Sequence, residues 1–114
     1  MDVTLIAKEA EAAAFEAADK FHKEVNGGSD RYPCGFAWVK VRPANKGNTK
    51  AGKDERRLLE KMGLRKDYTG TAYEKRNPSR YMCQNVDTLE AGARAYATVL
   101  NTHGINAFAE SRLD

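Results

Sequence analysis

The sequence predicts an α+β domain built on a single mixed or antiparallel sheet of about four strands, with helices mainly on one face. The first observation behind this is residues 34–42, where Ala37, Val39 and Val41 alternate with Phe36, Trp38, Lys40 and Arg42. That alternation is the two-residue period of a strand. The second is an alanine-rich run over residues 4–24 with no glycine or proline, which favours a long helix. The third is a helical pattern from Asp87 to Gly104 that is followed by another alternating stretch.

The chain has 114 residues, the size of one domain with a core that needs no disulfide or metal. One domain spanning 1–114 is expected, with helix 4–25 leading into a sheet-containing body over 32–114. Cys34 and Cys83 stand alone and no basic-then-apolar leader precedes them, so the expectation is a reduced, cytoplasmic protein. No apolar run approaches the length that crosses a bilayer. The net charge of +3 conceals a segregation: residues 1–30 carry −4, residues 31–82 carry +9 and residues 83–114 carry −2. A basic middle between acidic ends either pairs its charges within the fold or faces an anionic partner.

In the first helix, Ile6, Ala10, Ala13, Ala17, Phe21 and Val25 form a stripe at helical spacing. Its small residues suit close approach by another helix, and they raise the expectation of a homodimer or higher oligomer paired through this helix. Asn26, Gly27, Gly28, Ser29 and Asp30 end it. Pro43 closes the strand that follows, and residues 44–53 are polar and glycine-containing, the composition of a mobile loop. A short helix over 54–62 is expected, capped by Asp54, burying Leu58, Leu59 and Met62, with Arg56, Arg57, Lys61, Arg65 and Lys66 on its basic side. Residues 70–76 and 80–84 suggest a hairpin turning at Asn77, Pro78 and Ser79. In the last helix Asp87 and Glu90 have the spacing of a capping box, and Leu89, Ala93, Tyr96, Ala97 and Leu100 form the buried face. Residues 105–112 complete the sheet, with Ile105, Ala107 and Ala109 on one side and Phe108 on the other.

The loop from Gly47 through Lys50 to Gly52 and Lys53 matches a phosphate-binding Gly-x-x-x-x-Gly-Lys pattern, but Asp54 stands where Ser or Thr would hold magnesium. The pattern is therefore either a chance match or a non-catalytic anion site using Lys50 and Lys53. Cys34, Cys83, His22 and His103 have no chelating spacing, so no metal is expected, and no cofactor is expected either. Cys34 and His103 meet the minimal inventory of a thiol nucleophile, which most chains of this size also meet.

The aromatic and cationic side of the first strand, Phe36, Trp38, Lys40 and Arg42, suits stacking on bases and neutralising phosphates. Equally, a second layer could cover it. Lys75, Arg76 and Arg80, together with Tyr73 and Tyr81 in the expected hairpin, repeat the pairing and could extend the platform, or the tyrosines could pack in the core. No RNA-recognition aromatic motif, zinc knuckle, Gly-x-x-Gly loop or helix-turn-helix pattern accompanies them.

The segments Tyr32-Pro33-Cys34-Gly35-Phe36-Ala37-Trp38-Val39 and Glu90-Ala91-Gly92-Ala93-Arg94-Ala95-Tyr96-Ala97, with the terminal Ser111-Arg112-Leu113-Asp114, resemble small bacteriophage-encoded proteins. The resemblance implies an accessory protein in a host bacterial cytoplasm, where binding is commoner than new catalysis; it assigns no residue a role. The leading expectation is non-catalytic binding of a phosphate-rich ligand, a nucleic acid or a nucleotide, by Phe36, Trp38, Lys40, Arg42, Lys50, Lys53, Arg56, Arg57, Tyr73, Lys75 and Tyr81. The alternatives are a module that binds an acidic host protein and a small enzyme using Cys34 or the glycine loop.

Overall fold

Seven elements, in the order α1, β1, α2, β2, β3, α3 and β4, build an α+β fold in which one open antiparallel sheet carries its helices on one side. The computed structural model describes residues 2–25, 33–83 and 85–113, so the turn expected over residues 26–30 lies outside the described residues, as does Gln84. The helices are α1 (Val3–Glu24), α2 (Lys50–Lys61) and α3 (Val86–Thr102). The strands are β1 (Gly35–Val41), β2 (Arg65–Lys66), β3 (Tyr73–Arg76) and β4 (Ala107–Leu113), arranged β2-β3-β1-β4. Among the described residues, no helix is long and apolar enough to cross a membrane.

β1 is the central strand, and its register follows from which of its residues are apolar. Ala37, Val39 and Val41 are buried, and Val39 and Val41 pair with Ala109 and Ala107 of β4. One step of slippage would bring Lys40 into the core. α3 lays Leu89, Ala93, Tyr96, Ala97 and Leu100 on this inner face, as its periodicity predicts.

α1 packs antiparallel on α3: Glu9 meets His103 near one end, and the Ala14 carbonyl lies beside Gly92 near the other. A Cβ at Gly92 would stand 2.7 Å from Ser79 Cβ and 3.1 Å from Ala14 O, so the absent side chain permits the crossing. The buried line of α1 is Val3, Ile6, Ala7, Ala10, Ala14 and Ala18. It departs from the expected stripe after Ala10, leaving Ala13, Ala17 and Phe21 half-buried and Val25 exposed. α3 of the same chain packs on the buried line, while Ala13, Ala17 and Phe21 of the expected stripe stay partly accessible beside it.

Four local expectations are corrected. α2 begins four residues earlier than Asp54, at Lys50, because Thr49 is its N-cap and accepts the Gly52 N–H through its hydroxyl. Residues 44 and 45 are tied down as well, since the Glu55 carboxylate accepts the N–H groups of Ala44 and Asn45. α3 is capped by buried Asn85, whose Oδ1 accepts the Thr88 N–H, while Glu90 pairs with Arg94 and Ser111 and takes no part in a capping box. The hairpin is β2–β3, turning at Asp67 and Gly70 (φ 76°). Residues 80–83 form no strand: Pro78 has no N–H to donate, and Asn77 and Arg80 adopt positive φ. The chain thus leaves the sheet after β3.

Candidate functional site

The outer face of the sheet, opposite the helices, is covered by no described element. Its side chains follow from the pairings: Phe36 lies across from Arg112, Trp38 between Arg76 and Glu110, and Lys40 between Glu74 and Phe108. Phe36 is 46% exposed, and Trp38 and Phe108 are half-buried. Arginines lie against the phenylalanines, with the Arg42 guanidinium 5.4 Å from the Phe108 ring centre and that of Arg112 5.8 Å from Phe36. Of the three aromatics, Phe108 was recognised from sequence only as an outward residue. Its neighbours Lys40 and Arg42 are distant in the chain, so only strand pairing brings it to the site.

The face is a mosaic of charges. Lys40 Nζ stands 3.5 Å from both Asp67 Oδ2 and Glu110 Oε1. Partial burial opposes its charge, yet Glu110 and Asp67 outweigh that effect and hold its pKa above the usual value. Glu110 also accepts the Trp38 indole N–H at 3.3 Å, which fixes the ring against the sheet. Asp67 in turn accepts the Thr69 hydroxyl and the Gly70 and Ala72 N–H groups. The Thr69 bond leads the effects that lower its pKa against the opposing cost of burial. Lys40 is thereby engaged in pinning the β2–β3 turn to the sheet.

Further positive charge lies beside this face, part of it loosely paired: Arg76 Nε stands 3.8 Å from Glu74 Oε1, with the arginine side chain still 77% exposed. A groove of about 530 Å³ runs along the β3 edge past short β2, lined by Arg65, Lys66, Lys75, Arg76 and Arg80, with Glu74 its one carboxylate. Arg76 belongs both to this groove and to the aromatic face, directly across from Trp38. The sequence places Arg76 and Arg80 with the aromatic residues of an expected hairpin, and Arg65 and Lys66 on the basic side of the second helix. Their convergence depends on the β2–β3 hairpin, which sequence reasoning placed elsewhere.

The remaining expected residues separate from the platform. Tyr73 is 2% exposed, on the inner face, with its hydroxyl donating to Glu60 at 3.3 Å. Its neighbour Lys75 pairs with Glu11 of α1 at 2.8 Å and lies over the Tyr96 ring. Tyr81 folds back onto α1, donates to Asp19 at 2.8 Å and packs against Phe15 and His22. Burial, with Asp19 beside it, pushes its pKa up to about 12. The platform therefore does not extend through these three residues, because strand alternation turns Tyr73 and Lys75 inward and the chain at Tyr81 has already left the sheet.

The glycine loop has a structural account. Thr49 already takes the Gly52 N–H with its hydroxyl and the Lys53 N–H with its carbonyl. A Cβ on Gly52 would fall 1.8 Å from Lys46 O, so close backbone approach accounts for the glycine that completes the pattern. Lys50 and Lys53 are exposed on the first turn of α2, while Arg57 pairs with Asp54. Arg56 donates to the Asn45 and Gly52 carbonyls and fastens the loop to the helix. Among the described residues, no three His, Cys, Asp or Glu side chains converge on a point that could hold a metal. His103 is the C-cap of α3, and its ring meets Glu9.

No protein-family model, curated protein or solved structure matches the chain. Its functional reading rests on the geometry of this face.

Proposed function

We propose that the protein binds single-stranded nucleic acid without catalysis, stacking bases on Phe36, Trp38 and Phe108 and holding phosphates in the groove of Arg65, Lys66, Arg76 and Arg80. The observation that carries this is the adjacency of the two surfaces. Arg76 lines the groove and lies across the strand from Trp38, so a strand stacked on the indole has a cation beside its backbone. Aromatic faces accept any base, and guanidiniums recognise phosphate with paired N–H donors. Arg42 and Arg112, already over aromatic rings, extend the cationic rim at the far side. In keeping with its bacteriophage-like segments, the protein acts as an accessory factor in a bacterial cytoplasm, where it holds or shields exposed strands.

Binding to unstructured oligonucleotides across a salt series tests this. If the four groove cations each neutralise a phosphate, the logarithm of the association constant falls against the logarithm of salt with a slope of roughly −3. No binding at low salt removes the proposal and leaves the module for an acidic protein.

A further inference from the structure

We infer that a second copy of this chain extends the sheet by pairing β4 with β4 across a two-fold axis at Ser111. Arg42 N–H donates to Asn106 O at 3.1 Å, which sets the phase of the β1–β4 ladder. Even-numbered residues of β4 therefore turn their backbone groups to β1, and odd-numbered ones turn them outward. Ala107 follows this phase: its N–H goes to Asn101 Oδ1 at 3.0 Å and its C=O accepts from Asn101 Nδ2 at 2.9 Å. One side-chain amide thus occupies the first edge position. The N–H and C=O groups of Ala109, Ser111 and Leu113 continue the same edge, and no described residue takes them.

A two-fold edge pairing must be antiparallel and must oppose odd residues to odd. Centred on Glu110, it would oppose Glu110 to its own copy and need the groups of Ala107 that Asn101 holds. Centred on Arg112, it would oppose arginine to arginine. Centred on Ser111, it opposes Glu110 to Arg112 twice, on the outer face, at the close spacing of a non-hydrogen-bonded pair. On the inner face the same register sets Leu113, 63% exposed in the single chain, against Ala109 at the rim of the core. The Glu90 carboxylates, which approach the axis through Ser111, are each already paired with Arg94. Neither proline nor lysine guards this seven-residue edge. The product is one continuous eight-stranded sheet that joins two outer faces.

Sedimentation over a micromolar-to-millimolar series tests the pairing. The expected mass is twice 12.7 kDa, with Ala109, Ser111 and Leu113 amides gaining exchange protection as the dimer forms. Ser111→Pro removes an outward donor and leaves the β1 ladder intact, and Arg112→Glu opposes glutamate to glutamate. Each is expected to give a monomer with an unchanged circular dichroism spectrum. Arg112→Glu alters a surface side chain whose contact is with the exposed Phe36 ring and leaves the backbone donors in place, and so decides the matter if the proline variant does not fold. A wild-type monomer throughout the series overturns the inference, as does a dimer that persists in the folded Arg112→Glu variant.

Discussion

Trp38 donates its indole N–H to Glu110 at one side and lies across from Arg76 at the other, with no helix above it among the described residues. Trp38→Ala should therefore weaken oligonucleotide binding by about 1–3 kcal/mol, the value of one stacked base. Its cost in stability should stay below the roughly 3–5 kcal/mol of emptying a core tryptophan site. Titration and thermal melting of the same variant check both parts. Asp67 gives a prediction in pH. Its pKa is held below the ordinary 3.8 in the folded chain, so its contribution is complete above that value and is lost as pH falls through the folded value. Asp67→Asn should be less stable than wild type at neutral pH and should lose less stability on acidification below about pH 4, as followed by denaturant midpoints. At this scale the sequence was informative about direction and silent about partners. Alternation alone placed Phe36, Trp38 and Lys40 on the outer face, but Lys40 was counted as a free cation because its carboxylates come from a turn and from β4. Tyr73 and Lys75 were misplaced because alternation says that neighbours face opposite ways, and only a known register says which way is out.

α1, β1, α3 and β4 were legible because each has a long periodic pattern ended by a turn residue or a cap. The β2–β3 hairpin was not, since two turn signals compete: Asp67 with Gly70, and Asn77 with Pro78. Two-residue β2 is too short for periodicity to decide between them. A glycine pattern can also arise from packing alone, and Gly52 shows this. Gly52→Ala sets a methyl against Lys46 O and should cost about 1–3 kcal/mol in stability, while a folded Gly52→Ala protein retains its oligonucleotide affinity. A phosphate cradle at this loop predicts the opposite pattern. Gly92→Ala places its methyl against Ser79 and the α1 backbone, so it should also lower the unfolding free energy, read from denaturant curves, by about 1–3 kcal/mol through the α1–α3 crossing. Affinity again should not change, because the crossing lies on the far side of the sheet from the aromatic face.

Across the whole molecule, the segregation of charge is resolved partly inward and partly outward. Acidic α1 takes Lys75 through Glu11, and the outer carboxylates take Lys40. Arg65, Lys66 and Arg80 remain along the β3 edge, with Arg76 exposed beside them and loosely paired to Glu74 at 3.8 Å. That remainder, beside an aromatic sheet face, is the basis of the nucleic-acid reading. Removing one phosphate contact with Arg76→Ala should reduce the salt slope by about 0.7. The chain contains one tryptophan, so its intrinsic fluorescence reports on the proposed stacking surface without a label. The most direct measurement is a fluorescence titration with unstructured single-stranded DNA at low salt, repeated as salt rises. Saturable quenching of Trp38, with affinity falling steeply as salt increases, is the predicted result. Emission that stays unchanged up to saturating oligonucleotide, in a protein whose circular dichroism shows it folded, would contradict the account.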